Sequence, residues 1–351
     1  MGLTYIATAL YFRVPLPVQP LKAFAAAAIA LQLDAATIAA GALLMAAAMA
    51  VLSATGLAGW LAVRFPVVLI RGIQVSVALL LAKAAVDLAQ KGNWEGLPPI
   101  DPTVSFAIAI CACALLLAAR STSLPASLIV LGAGIVVGLA VEGVPGGISA
   151  GPAPVAFSLP AAGDFATALG ALVLAQIPLT FGNSVVATAD AERTYFGARA
   201  RRVTPNRLSA SISAANVFAG LASGLPVCHG AGGATAHYRL GARTWVATAS
   251  AGALFLTLGV LLGTSLPVLL TLIAPGALAG MLFYVAIQHG LLAADLERLD
   301  ERMIAALVGV VTLLSGNLAV GFGVGAAVLL AQLGGRRLVS RRRLAGVRAP
   351  G

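Results

Sequence analysis

Leu225-Pro226-Val227-Cys228-His229-Gly230-Ala231-Gly232-Gly233 is the stretch that decides this fold. A proline breaks an apolar run and a glycine-rich helix starts a few residues later, too short to cross a bilayer comfortably. Its opening has a twin, Leu16-Pro17-Val18-Gln19-Pro20, 209 residues upstream, again leading into an alanine-rich helix. Further on, Phe65-Pro66-Val67-Val68 matches Leu266-Pro267-Val268-Leu269 at an offset of 201. Two matches in the same order at nearly the same offset point to an internal duplication.

The rest of the chain says where such a duplication sits. Of 351 residues, 60% are hydrophobic and 10% charged, whereas a soluble domain carries roughly a quarter charged residues. This excludes a water-soluble enzyme and predicts an all-α polytopic membrane protein. Helical spans take about 20 residues each, and hydropathy with proline, glycine and charge punctuation gives about 13 membrane segments between residues 3 and 334, two of them half-helices. The net charge of +10 gathers at span ends, in Arg193–Arg207 and after Gly334. That is the pattern of cytoplasmic loops rather than of a nucleic-acid interface. The three cysteines and three histidines form neither a disulfide framework nor a metal site, and no phosphate-binding loop of the G-x-x-x-x-G-K-[ST] type occurs. No cofactor is expected.

Placing the arginine clusters inside orients the halves. The segment opening at Leu16 then enters from the cytoplasm and the one opening at Leu225 from outside, so the repeats have opposite topology, as in many secondary transporters. The expected organisation is a first inverted repeat over 1–141, an extracytoplasmic linker over 142–165, a second repeat over 166–335 and a basic cytoplasmic tail over 336–351. The span at 167–189 has a counterpart that would fall before Met1, so the first span of the first repeat is expected to be missing.

Function is read from the helix starts. Two half-helices beginning in mid-membrane present unpaired N–H groups and positive dipole ends to one point, a site for an anion. The candidate ligands at the first start are Gln19, Pro20 and Lys22, the last an intramembrane cation or a side chain that snorkels to the edge. At the second start they are Cys228, His229, Gly230, Gly232 and Gly233, with His229 as a donor and the glycines allowing close approach. The glycines could equally serve tight helix packing. A third segment, Gln176-Ile177-Pro178-Leu179-Thr180-Phe181-Gly182-Asn183-Ser184, gathers the neutral donors Thr180, Asn183 and Ser184 at mid-span; such residues also bind membrane helices to one another. Asp190 and Glu192 read as a solvated pair at the cytoplasmic end, and Arg71, Asp87 and His289 are left without partners.

On these residues the chain resembles the molybdate transporter family, related to the sulfate permease (SulP) superfamily. The resemblance lies in Val14–Ala23, in Pro178–Ser184, and in Leu225–Gly233 followed by His237-Tyr238-Arg239-Leu240-Gly241-Ala242-Arg243. It implies a seven-plus-seven inverted-repeat transporter fold with core and gate domains, here apparently lacking the first span, and no appended STAS domain. It also implies a binding role for Gln19 to Lys22, Thr180 to Ser184 and Cys228 to Gly233. The expectation is a secondary active transporter importing molybdate by alternating access, a multi-pass protein of the bacterial inner membrane with its C-terminus cytoplasmic. Its expected partners are molybdate, tungstate or sulfate, the lipid bilayer and a second copy in a homodimer. Rival readings are a sulfate or other oxyanion transporter, a nucleobase carrier, an anion channel and a lipid-directed enzyme, for which no nucleophile or metal constellation is present.

Overall fold

The computed structural model describes residues 1–21, 24, 25, 28, 31, 33–91, 100–119, 125–143, 148–152, 159–265, 268, 269, 271–318 and 320–332. Lys22, the 336–351 tail and parts of the 142–165 linker lie outside them.

Helix α1 (Gly2–Phe12) ends where Arg13 turns left-handed at φ 60°, and the chain then extends into a two-residue strand, β1 (Gln19–Pro20). Helix α2 (Ala35–Ala54) starts at Asp34, whose carboxylate accepts the Thr37 N–H at 2.8 Å and so satisfies one of the orphan donors of its first turn. There follow α3 (Leu57–Arg64), α4 (Val67–Lys91), α5 (Pro102–Ala118) and α6 (Ala126–Glu142). The second half opens with one broken run: α7 (Ala162–Ala168), a π-helical stretch (Leu169–Val173), α8 (Leu174–Leu179), a second π stretch (Thr180–Ala187) and α9 (Thr188–Phe196). Pro178, inside this run, has no N–H for the ladder, a local cause of irregular pairing. Helix α10 (Pro205–Leu221), strand β2 (Val227–Cys228), α11 (Ala231–Arg239), α12 (Trp245–Leu262), α13 (Pro275–Gly290), α14 (Leu299–Ser315) and α15 (Val320–Gln332) complete the described chain.

Among the described residues, four helices are long and apolar enough to span a membrane, or five counting the broken run, which bends by 52°. Hydropathy alone yields 13 segments; the difference lies in short apolar helices such as α1, α5, α6 and α15 and in the broken stretches. Helix α12 buries only Thr248 and Gly252 and turns Leu254, Phe255, Leu256, Val260 and Leu261 outward. A continuous apolar surface of that kind requires a partner other than water, and for a multi-pass membrane protein that partner is lipid.

The helices pack in two groups. In one, α2 lies on α10 and α1 on α12; in the other, α13 packs on α4, α5 and α6, and α14 on α4. Carried forward by the 201 to 209 residues of the repeat offset, α1 falls on α10, α2 on α12, α4 on α13, and α5 overlaps α14. Each of the pairings α2–α10 and α4–α14 therefore has its counterpart in α12–α1 and α13–α5, the exchange expected of a duplicated chain whose halves interlock. Small residues let these helices approach closely: a Cβ on Gly2 would sit 2.7 Å from the Gly252 carbonyl oxygen, and one on Gly276 2.5 Å from that of Ser105.

Candidate functional site at the crossing of the two repeats

The two proline motifs meet. Strand β1 pairs with β2 antiparallel, with Gln19 opposite Cys228 and Pro20 opposite Val227. At the 209-residue offset Gln19 and Cys228 are equivalent positions, so the register is centred on a residue and its own duplicate. That is the geometry of a two-fold axis between inverted repeats. Beyond the strands, the Leu21 N–H donates to the Pro226 carbonyl at 2.9 Å. The equivalent acceptor, the Pro17 carbonyl, takes its hydrogen bond from a side chain instead: His229 Nδ1 at 2.7 Å.

That bond corrects the reading of His229 as an anion donor. Its imidazole is fully buried, gives Nδ1–H to Pro17, and has Nε2 2.9 Å from Ser211 Oγ; the ring meets Phe12 edge-on at 6.1 Å. Its carbonyl accepts from Thr188 Oγ1 at 2.6 Å. Both nitrogens are engaged in joining the repeats, and the side chain does not face the cavity.

The cavity beside the crossing has a volume of about 1050 Å³. Gln19, Pro20, Asn183, Ser184, Cys228, Gly232 and Gly233 line it, together with the apolar Phe24, Leu81, Leu172 and Met281. Of the other sequence-derived candidates, Thr180 is buried behind the wall, where its Oγ1 accepts from Gln176 Nε2 at 3.1 Å. Gly230 is the N-cap of α11 and has no side chain to cap it. A Cβ there would overlap the Gln19 amide, and one on Gly233 would lie 2.8 Å from Pro17 Cβ and 3.3 Å from Gln19 Oε1. The glycines of the second repeat thus make room for the glutamine of the first. Gly232 instead abuts Val77 and Leu81 of α4, so close packing and open backbone are both served.

Three polar lining residues went unread in the sequence: Gln176, Ser315 and Asn317. The last two flank Gly316, which turns left-handed at φ 65° between α14 and α15. The only signal was a polar triplet that reads equally well as a turn. Among the described lining residues there is no Asp, Glu, Lys, Arg or His. The polar equipment is amides, a hydroxyl and the uncapped start of α11, whose first N–H groups have no helical acceptor and whose dipole is positive at that end. Asn183 Oδ1 has no hydrogen-bond partner. Because the two ends of an amide exchange by a flip, Asn183 can turn either its donor or its acceptor inward. Such a wall suits a compact anion and gives an ionised carboxylate no opportunity to repel it.

The two acidic residues after the broken run do not form the solvated pair expected of them. Asp190 pairs with Arg71 and accepts from Gln74 Nε2 at 3.1 Å, while Arg71 also grips Asp295 through Nε at 2.8 Å and a second nitrogen at 2.5 Å. Glu192 is fully buried. Asp87 pairs with Lys83 at 2.5 Å on the surface, and His289 Nδ1 lies 2.5 Å from Thr235 Oγ1. None of these contacts joins residues that a single helix pattern could have linked, apart from the Lys83–Asp87 step of four.

The sequence model of the family described as "Molybdate transporter of MFS superfamily" matches residues 1–81 and 168–289, both sides of the crossing. The chain belongs to the molybdate transporter family. Molybdate transporter 2 of Arabidopsis thaliana is 26% identical over 370 residues, covering 94% of this chain and 79% of that relative. Molybdate transporter 1 of Chlamydomonas reinhardtii is 34% identical over 166 residues, which are 46% of this chain and 32% of the relative. Among solved structures, the transmembrane domain of the cyanobacterial bicarbonate transporter BicA superposes with a TM-score of 0.63 at 18% identity, covering 91% of this chain and 87% of that one. SLC26A9 superposes at 0.50 with 16% identity, over 85% of this chain and 50% of its own. The family therefore has the inverted-repeat fold of SulP and SLC26 proteins, and its members are transporters, not enzymes.

Proposed function

We propose that this protein is a secondary active transporter that imports molybdate, holding the dianion at the crossing of the two half-helix starts. The observation that carries the reading is the equivalent pairing of Gln19 with Cys228, which puts the uncapped start of α11, the Gln19 amide and Ser184 on one cavity whose described lining residues carry no formal charge. Backbone dipoles and neutral donors bind an oxyanion without a fixed counter-charge that would have to be desolvated again on release. The site residues are Gln19, Pro20, Asn183, Ser184, Cys228, Gly232 and Gly233, with Gly230 shaping the start and Thr180 supporting the wall; Lys22 adds a cation at the first start. Transport proceeds by alternating access, the group of α1, α2 and α7 to α12 moving against the group of α4 to α6 and α13 to α15. Residues 1–141 and 166–335 are the inverted repeats. The protein resides in the bacterial inner membrane with the arginine-rich loop and the C-terminus in the cytoplasm. Against an interior-negative potential each charge climbs about 2.3 kcal/mol per 100 mV, so a dianion climbs about 4.6 kcal/mol, and uptake requires a coupled cation.

The test is competitive binding of molybdate, tungstate, sulfate and uracil to the purified protein, followed by uptake into proteoliposomes. Molybdate is expected to displace sulfate and to be indifferent to uracil. Uracil binding without oxyanion competition would replace this reading with a nucleobase carrier, and steady conductance without accumulation would replace it with a channel.

A further inference from the structure

Glu192 is a carboxyl group with nothing to do in the anion site. It is fully buried in α9, and neither of its oxygens has a hydrogen-bond partner. The charged and titratable groups on every element around it can be named. On its own helix, Asp190 is engaged by Arg71 of α4, and Arg193 is exposed. Tyr195, one turn on, stacks on Tyr238 at 4.5 Å with the Arg239 guanidinium 5.5 Å from its ring. In the short helix that follows, Arg199 donates to the Arg243 carbonyl and Arg202 to that of Tyr11, and Arg201 points to solvent. From α11 come Thr235, His237, held to the Gly233 carbonyl at 2.8 Å, and Arg239; α13 brings His289. The Thr180–Ala187 stretch brings no titratable group.

Three of these groups form a string. Tyr195 Oη lies 2.8 Å from Thr235 Oγ1, which lies 2.5 Å from His289 Nδ1. His289 is fully buried and its Nε2 has no partner; the amide of Gln288 beside it has none at either end. Ala191, Ala234 and Leu292 pack together around this point, so α9, α11 and the segment after α13 meet there. The string begins on α9, passes through α11 and ends on α13, crossing from one packing group to the other. Helix α11 also lines the anion cavity, through Gly232, Gly233 and Ala236. The string therefore lies behind the cavity wall, at the boundary that must slide during transport.

A carboxylate without donors in a dry site is costly, and a proton removes the cost. We propose that Glu192, with the Tyr195–Thr235–His289 string, is a proton-binding site that couples anion import to the proton gradient. It rests on the transport reading above. One proton forms an O–H bond on the Glu192 carboxylate when the site is reached from outside, and that bond breaks when the sliding of α13 past α11 wets the site from inside. No electrons move, and each cycle carries the proton in the same direction as the anion. His289, which can hold hydrogen at either nitrogen, provides the exchangeable end of the string.

The test uses the full chain in proteoliposomes, with a pH indicator trapped inside and molybdate added outside. The wild type is expected to acidify the lumen as molybdate enters, and an inward proton gradient is expected to raise uptake at least tenfold. Glu192→Gln is expected to keep molybdate binding and molybdate–molybdate exchange while losing the gradient response. Glu192→Asp should retain part of it, and His289→Gln should move the pH profile of uptake. Uptake by Glu192→Gln with an undiminished gradient response would overturn the proposal. So would wild-type uptake without acidification, a result that does not depend on any variant folding. Absence of molybdate binding in the wild type would instead overturn the transport reading, and this site's role with it.

Discussion

The two helix starts share one backbone design and differ in chemistry. In the first repeat the positions after the shared proline and valine are Gln19, Pro20 and Leu21; in the second they are Cys228, His229 and Gly230. The Leu21 N–H reaches across to Pro226, whereas on the other side an imidazole makes the reciprocal bridge to Pro17. The first repeat contributes an amide side chain, and the second contributes bare backbone that leaves space for it. After duplication, one copy supplied the donor and the other the room, so neither start alone makes the site.

The largest effect expected from breaking this division is on folding. His229→Ala leaves the Pro17 carbonyl and the Ser211 hydroxyl unpartnered in a buried site, at about 1–3 kcal/mol each. Its unfolding midpoint in detergent should fall well below the wild type's, and an unchanged midpoint would remove the bridge from the argument. Next comes Gly230→Ala, whose methyl group takes the space of the Gln19 amide; molybdate binding measured by calorimetry should weaken roughly a hundredfold, about 2.7 kcal/mol. Gln19→Leu keeps the volume and deletes one donor to a charged guest, an interaction of about 2 kcal/mol, or roughly thirtyfold in Kd. If Gly230→Ala binds normally while Gln19→Leu does not, the amide acts without its glycine cradle. The smallest effect belongs to Ser184→Ala, about 1 kcal/mol and roughly fivefold, because the hydroxyl is one of several neutral donors on the wall.

The crossing itself was legible because it is written locally. Pro17 and Pro226 mark where helices cannot continue, the glycines at 230, 232 and 233 mark where a side chain cannot fit, and a common offset marks the duplication. What escaped was set by distance through the fold. His229 finds its partner 212 residues away, and Arg71 finds Asp190 and Asp295 across 119 and 224. Glu192 looked solvated because it sits among arginines in the sequence, yet its helix faces inward at that turn. Ser315 and Asn317 carried no more information than any turn does; only the proximity of that turn to the crossing gives them a place on the cavity.

The π-helical stretches at 169–173 and 180–187 set a constraint on how this wall can vary. A π turn accommodates roughly one residue more than an α turn, so the broken run carries surplus length relative to a regular helix. Deleting a single residue there would let the ladder relax into ordinary pairing, yet it would rotate everything downstream by about 100°. Asn183 and Ser184 would swing off the cavity and Glu192 out of its dry niche together. The chain can therefore exchange side chains along this helix freely, but its reading frame is pinned.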